Sequence, residues 1–229
     1  DIVWSEGRSQ LKSIGSMAFS TTPIKEFLIP ATVTSIGEGA FYYCESLSEI
    51  KIEEGNTAYK MDNGGLYTAD GTTLLQYTLG AEGTSFTISN TVKTLGYGAF
   101  AYNTSLTEII FEEGSAITAI PTAAFSFILT LEKITNIPET VKTLGDYAFY
   151  NCKKLTDLSI PSAVTKIGEY AFHGCNVLTP FDIPENVTSI GAYSFAYCDK
   201  FTSIAIPGVI TKRPSGLPSR AAAAREPTS

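Results

Sequence analysis

Residues 155–175 read LTDLSIPSAVTKIGEYAFHGC, and this stretch decides the fold. It is one complete unit, and most of the chain consists of its copies. The marker pair Ala-Phe ends at Phe19, Phe41, Phe100, Phe125, Phe149 and Phe172, and returns at Phe195 with Ser194 replacing the alanine. From Phe125 onward the steps are 24, 23 and 23 residues. A fixed period in this range predicts a solenoid, in which each unit buries its apolar face only against its neighbours.

Within the unit, Leu158-Ser159-Ile160 alternates apolar and polar, which predicts a strand with one face in the core. Pro161, Pro184 and Pro207 close that strand, since proline cannot donate to a ladder. The strand recurs one period on, so successive strands pair in parallel. After Ile-Gly the period changes. Ala148, Phe149 and Cys152 stand at i, i+1 and i+4, which predicts a short helical turn. Gly37, Gly96, Gly145, Gly168 and Gly191 precede these turns, and Pro121 takes the same slot once. Proline fixes φ near −65°, so the slot reads as a helix start.

IPSAVTKIGEYAFHGC and FEEGSAITAIPTAAF closely resemble the BspA-like, or treponemal-type, leucine-rich repeats. The likeness covers about residues 11–207. It implies an α/β, largely β, right-handed leucine-rich-repeat solenoid with a parallel concave sheet and short helical turns opposite. It also implies a surface or secreted protein of bacteria or some protists that binds proteins. Host extracellular-matrix or mucosal proteins are the partners implied.

The chain has 229 residues, 44% of them hydrophobic, enough for a long ribbon of core. A net charge of −7 argues against nucleic acid, which needs a basic footprint. No apolar run reaches the roughly 18–20 residues of a membrane-spanning helix, and no signal peptide is apparent. The first residue is aspartate, as in a processed chain or an excised fragment. The repeat organisation assigns residues 1–212 to the solenoid, with an insert at about residues 55–84. It assigns residues 213–229, rich in Pro, Ala, Ser and Arg, to a flexible or non-native tail. Residues 1–10 match no part of the repeat; Trp4 either caps the first coil or marks where the fragment begins.

The interval from Ile52 to Ile88 holds no Ala-Phe and exceeds a regular repeat by 13 residues. Within it, GGLYTADGTTLLQY predicts a hairpin about Asp70-Gly71. The hairpin is either a packing variant or a binding element. Two strands end in Glu-Glu-Gly, at Glu53-Glu54 and Glu112-Glu113. Without the Asp-rich spacing of a calcium loop, these read as solvated acids.

Cys44, Cys152, Cys175 and Cys198 share one slot, occupied by Asn103 and Ile128 in two other copies. A metal site needs close pairs such as Cys-x-x-Cys, so a buried ladder of reduced thiols is the expectation. His173, the only histidine, lies two residues from Cys175, a spacing that does not aim the two at each other. No nucleophile elbow, phosphate loop or His-Glu-x-x-His is present. The residues point to no catalytic site, metal or cofactor.

The outward strand positions remain. They are Glu26 and Leu28, Glu49 and Lys51, Thr87, Glu108 and Ile110, Lys133 and Thr135, Asp157 and Ser159, Pro180 and Asp182, Ser203 and Ala205. From these, Glu26, Glu49, Lys51, Thr87, Glu108, Lys133, Asp157, Ser159 and Asp182 form the candidate partner-binding face. Tyr43, Tyr102, Tyr147, Tyr170, Tyr193 and Tyr197 recur beside the Ala-Phe turns, as a stacked ladder or a second binding surface. A non-enzymatic, adhesin-like binding module is the expected function. A structural spacer holding another domain away from the envelope is the alternative.

Overall fold

A computed structural model describes residues 10–210 and 215–216. Trp4 and nearly all of the basic tail lie outside the described residues. The chain winds as a largely β solenoid of stacked coils, and each regular coil contributes three backbone segments.

The first is the long strand. Glu26–Ile29 pairs in parallel with Glu49–Ile52, and Ser85–Ile88, Glu108–Phe111 and Lys133–Thr135 form a second parallel sheet. One bridge, Lys133 to Asp157, extends the row. Among the described residues five such strands form, where the repeat count suggests about eight. In the coil after Asp157, Pro180 occupies the strand slot and has no N–H to give.

The second segment is a two-residue strand that the hydropathy pattern did not reveal. Ala119–Ile120, Thr143–Leu144, Lys166–Ile167 and Ser189–Ile190 pair in parallel, one per coil. Ser13–Ile14 pairs in the same way with Ser35–Ile36.

The third segment is the Ala-Phe arm, and here the helical expectation fails. No helix forms among the described residues beyond a single 3-10 position at Gln10. Each arm instead carries two residues of positive φ, four apart. Tyr147 and Asn151 stand at 57° and 57°, Tyr170 and Gly174 at 54° and 75°, Tyr193 and Tyr197 at 56° and 57°. A left-handed residue cannot continue a right-handed helix. The arm becomes a chain of tight turns. Ala148 N–H donates to Gly145 O, Tyr150 N–H to Tyr147 O and Cys152 N–H to Phe149 O. The intervening amides point out of the arm to the next coil. Tyr147, Phe149 and Asn151 donate to the carbonyls of Glu169, Ala171 and His173, each at 2.8 Å. Phe125 to Ala148 and Phe172 to Ser194 repeat the central bond. Among the described residues the last of these rungs runs from Tyr193 N–H to Ser215 O at 2.7 Å.

These rungs explain the glycine before each arm, which does not start a helix. A Cβ at Gly168 would lie 2.4 Å from Asp146 N, and one at Gly191 would lie 2.2 Å from Glu169 N. The slot is empty because the backbone of the preceding coil fills it. Gly15 belongs to the first described coil, and a Cβ there meets nothing within 4 Å.

The phenylalanines stack down the interior. Successive ring centroids are 5.4 Å apart from Phe100 to Phe125, 5.5 Å to Phe149, 5.1 Å to Phe172 and 5.2 Å to Phe195. Each of these rings is buried, and burying one contributes roughly 1.5–3 kcal/mol. The core divides at the insert. One cluster runs from Ile14 to Leu66 and the other from Tyr67 to Ile204.

Gly168→Ala should therefore destabilise the protein by roughly 1–3 kcal/mol through overpacking. Gly15→Ala should be neutral or stabilise by up to about 1 kcal/mol through the unfolded chain. Urea titrations of the two variants check this; equal destabilisation would contradict the close approach of the coils.

Candidate functional site

The candidate face is built on the long strands, whose alternation turns Phe27, Ile29, Ile50 and Ile109 inward. Their neighbours face outward in register: Glu26 opposite Glu49, and Glu108 opposite Lys133. Thr87 lies opposite Ile110. Glu26, Glu49, Lys51, Thr87, Lys133, Asp157, Ser159 and Asp182 are exposed, and Glu108 is half-buried. The structure gathers these residues into small groups instead of one acidic row. Lys51 Nζ lies 2.9 Å from Glu49 and 3.7 Å from Glu26. Lys133 Nζ lies 3.6 Å from Glu108, whose Oε1 also accepts from Thr135 Oγ1 at 2.9 Å. Thr179 Oγ1 donates to Asp157 at 2.8 Å. Both lysines thus offset part of the acidic charge. Exposed pairs of this kind add little stability, so the face can change without loss of fold. The insert interrupts the face: Glu49–Ile52 and Ser85–Ile88 do not pair with each other.

The insert is a three-stranded meander of Tyr59–Asp62, Gly65–Thr68 and Thr73–Tyr77, each antiparallel to the next. Asp70 caps the second turn, accepting from Thr68 Oγ1 at 2.6 Å and Thr72 N–H at 3.0 Å. These hydrogen bonds pull its carboxyl down to about 2. The third strand rejoins the solenoid, because Thr73 and Leu74 pair in parallel with Thr94 and Leu95. Tyr77 then takes the phenylalanine slot. Its N–H donates to Ala99 O at 2.7 Å and its ring lies 5.5 Å from Phe100. The signal was in the sequence, since Tyr77 stands 23 residues before Phe100.

The cysteine slot is a ladder of buried free thiols. Cys44, Cys152, Cys175 and Cys198 donate to the carbonyls of Phe19, Phe125, Phe149 and Phe172, at 3.0, 3.0, 3.1 and 3.0 Å. Burial pushes Cys152 and Cys198 up to about 12. Asn103, in the same slot, caps its turn by accepting from Ser105 and Leu106 N–H. Cys175 is thus committed to a backbone carbonyl, while His173 stacks 4.9 Å from Tyr150 and meets Tyr197 edge-on at 4.9 Å. Burial pushes the imidazole pKa down. No group of three or more potential ligands for a metal occurs among the described residues.

The first acid of each Glu-Glu-Gly is not simply solvated. Glu53 Oε2 accepts from Ala31 N–H at 2.9 Å and Glu112 Oε2 from Asn90 N–H at 2.8 Å. Glu139 serves Ser162 in the same way. The tyrosines, with Phe127 bridging Tyr102 and Tyr150, form a stripe along the arms. Tyr43 meets Tyr102 at 4.2 Å, Tyr147 stacks on Tyr170 at 5.0 Å, and Tyr170 stacks on Tyr193 at 5.2 Å.

The sequence profile of the BspA type leucine rich repeat region matches six copies, over residues 5–63 and 80–202. The chain belongs to the BspA-type leucine-rich-repeat family. The unmatched residues 64–79 hold the second and third strands of the insert. Among solved structures, the pneumococcal vaccine antigen PcpA is similar at 24% identity and a TM-score of 0.74, over 88% of this chain and 53% of that one. This likeness concerns the fold. A leucine rich cell surface protein of Faecalibacterium prausnitzii is similar at 30% identity and a TM-score of 0.61, over 91% of this chain and 48% of that one. A leucine-rich repeat protein of Eubacterium ventriosum is similar at 26% identity and a TM-score of 0.51, over 90% of this chain and 64% of that one. This chain spans about half the length of the first two. A search among curated proteins finds no match. No helix among the described residues is long and apolar enough to cross a membrane.

The thiol ladder makes stability depend on pH. An unfolded cysteine ionises near 8.5, whereas the folded Cys152 and Cys198 hold their protons to about 12. Above about pH 8.5 the unfolded chain releases protons that the folded chain keeps. Stability is therefore full below that pH and falls above it, by up to about 1.4 kcal/mol per pH unit per thiol. Urea midpoints at pH 8 and pH 10 should drop further for the native chain than for Cys152→Ala. An equal drop would contradict a neutral, buried thiol.

Proposed function

We propose that this chain is a non-enzymatic protein-binding module of a bacterial cell-surface or secreted protein. The observation that carries this reading is the sheet face. It presents unlike polar and charged groups, one row per coil, on a backbone held by parallel ladders. Contacts made by Glu26, Glu49, Lys51, Thr87, Glu108, Lys133, Asp157, Ser159 and Asp182 can add across coils, because the frame need not be ordered on binding. Family membership supports a surface location, and one of the similar solved structures is itself described as a cell surface protein. A host-matrix or mucosal protein with a basic patch is the partner that suits the acidic residues. A uniform solvated face would favour the spacer role; ion pairs and side-chain hydrogen bonds of differing chemistry favour binding.

The test uses immobilised host-matrix proteins and surface plasmon resonance. Reversing Glu49, Glu108 and Asp157 to Lys should leave the melting temperature nearly unchanged and abolish binding. The on-rate of the native chain should fall as salt rises. Full affinity in the reversed protein would reject the sheet face as the site.

A further inference from the structure

Among the described residues, five arms offer three N–H groups, on alternate residues, to carbonyls of the following arm. In the first arm Met17, Phe19 and Thr21 donate to Glu38, Ala40 and Tyr42, at 3.0, 2.8 and 3.1 Å. The arm of the coil after the insert repeats this, with Gly98, Phe100 and Tyr102 donating to Thr122, Ala124 and Ser126. The second arm supplies the same edge through Gly39, Phe41 and Tyr43. Among the described residues, none accepts from these three N–H groups.

The cause is the insert. The coil that follows the second arm has no Ala-Phe arm, only the strand Thr73–Tyr77. That strand turns its free edge to Gly65 and Leu66 of the meander, not to the second arm. The chain then leaves through Thr78, bonded to Gly64 O, and Leu79, bonded to Leu47 O. A cleft of about 390 Å³ opens where the missing arm would lie. Gly39, Phe41, Leu75, Gln76, Tyr97 and Thr122 are among its lining residues. Beyond it the rings of Tyr42 and Tyr43 meet Tyr97 and Tyr102, so the cleft exposes the Gly39–Phe41 part of the edge. Phe41 is only 3% exposed, so its N–H sits in surroundings where backbone donors are normally paired.

We propose that this cleft binds a peptide segment of a partner protein, which supplies the carbonyls of the missing arm. The other arms show what this edge accepts: a second backbone whose alternate carbonyls face one way. An extended peptide presents them so, as in strand addition to an open sheet edge. A small molecule has no reason to match that spacing. The apolar lining suits small aliphatic side chains. Exposed Glu38 at the rim and the net charge of −7 favour flanking Lys or Arg. This site is separate from the sheet face, which lies on other strands.

A phage-displayed random heptapeptide library, panned on the whole chain, tests the proposal. Enriched peptides should carry Lys or Arg beside small apolar residues. Their affinity, by calorimetry on synthetic copies, should fall about tenfold or more when one backbone carbonyl is replaced by a methylene. It should fall as far in Thr122→Trp, which fills the cleft, and stay unchanged in Glu185→Lys, an exposed position of a later coil outside both proposed sites. In the native protein the amide resonances of Gly39 and Phe41 should shift downfield on binding while that of Phe149 stays put. Failure of enrichment, carbonyl-independent binding, equal affinity in Thr122→Trp, or unmoved Gly39 and Phe41 resonances would each overturn it. Because the resonances are read on the native chain, the test stands even if Thr122→Trp does not fold.

Discussion

The hydrogen bond from an arm amide to the carbonyl of the next coil is the constraint on which the rest depends. Alternate residues give their N–H groups away in this manner, at 2.8 Å from Phe149 to Ala171. They are then lost to any helix, which needs each N–H to reach back four residues. The arm must instead fold as consecutive turns, with left-handed residues at Tyr147 and Asn151. A left-handed non-glycine residue costs roughly 1–2 kcal/mol. Inter-coil bonds, the phenylalanine stack and the thiol ladder offset that cost together. The same short rise between coils leaves no room for a Cβ at Gly145, Gly168 or Gly191.

Much of this frame was legible in the sequence. The period, the parallel long strands and the inward row of Leu, Ile, Val, Phe and Cys follow from spacing alone. The form of the arm did not, because Ala148, Phe149 and Cys152 fall on one side of a helical turn and of a turn chain alike. Only the destination of the backbone bonds separates the two, and hydropathy carries no record of it. The glycine before the arm misled for a similar reason. Its slot tolerates Pro121 in one coil, so it looked like a question of φ, whereas in the other coils the neighbouring backbone decides it. Tyr77 is readable by counting 23 residues back from Phe100, although no Ala-Phe pair marks it. Of the candidate face, Glu26, Glu49, Lys51, Thr87, Glu108 and Lys133 stand on long strands, while Ser159 and Asp182 lie in no described strand. The reach of Lys51 and Lys133 to neighbouring acids depends on rotamers, which a sequence does not show.

The frame separates structural from variable positions sharply. Backbone bonds, the ring stack and Thr or Ser side chains bonded to carbonyls of the previous coil hold the solenoid. Thr107, Thr156 and Thr179 bond to Thr84, Glu132 and Thr156 in this way. The outward strand side chains are left free to vary, which is the physical basis for a binding surface on a repeat array. The insert breaks this regularity once. It interrupts the long-strand sheet, divides the core and ends the arm ladder at the same coil. A single local change in the repeat therefore affects the sheet, the core and the arm edge together.

Amide hydrogen exchange, resolved by residue, tests the central claim most directly. Under native conditions exchange reports the opening free energy of each bonded amide. The inter-coil account predicts slow exchange at Phe100, Phe125, Phe149 and Phe172, and much faster exchange at Phe41, although all five occupy one slot of the repeat. Equal protection of Phe41 and Phe149 would contradict an inter-coil ladder that stops at the insert.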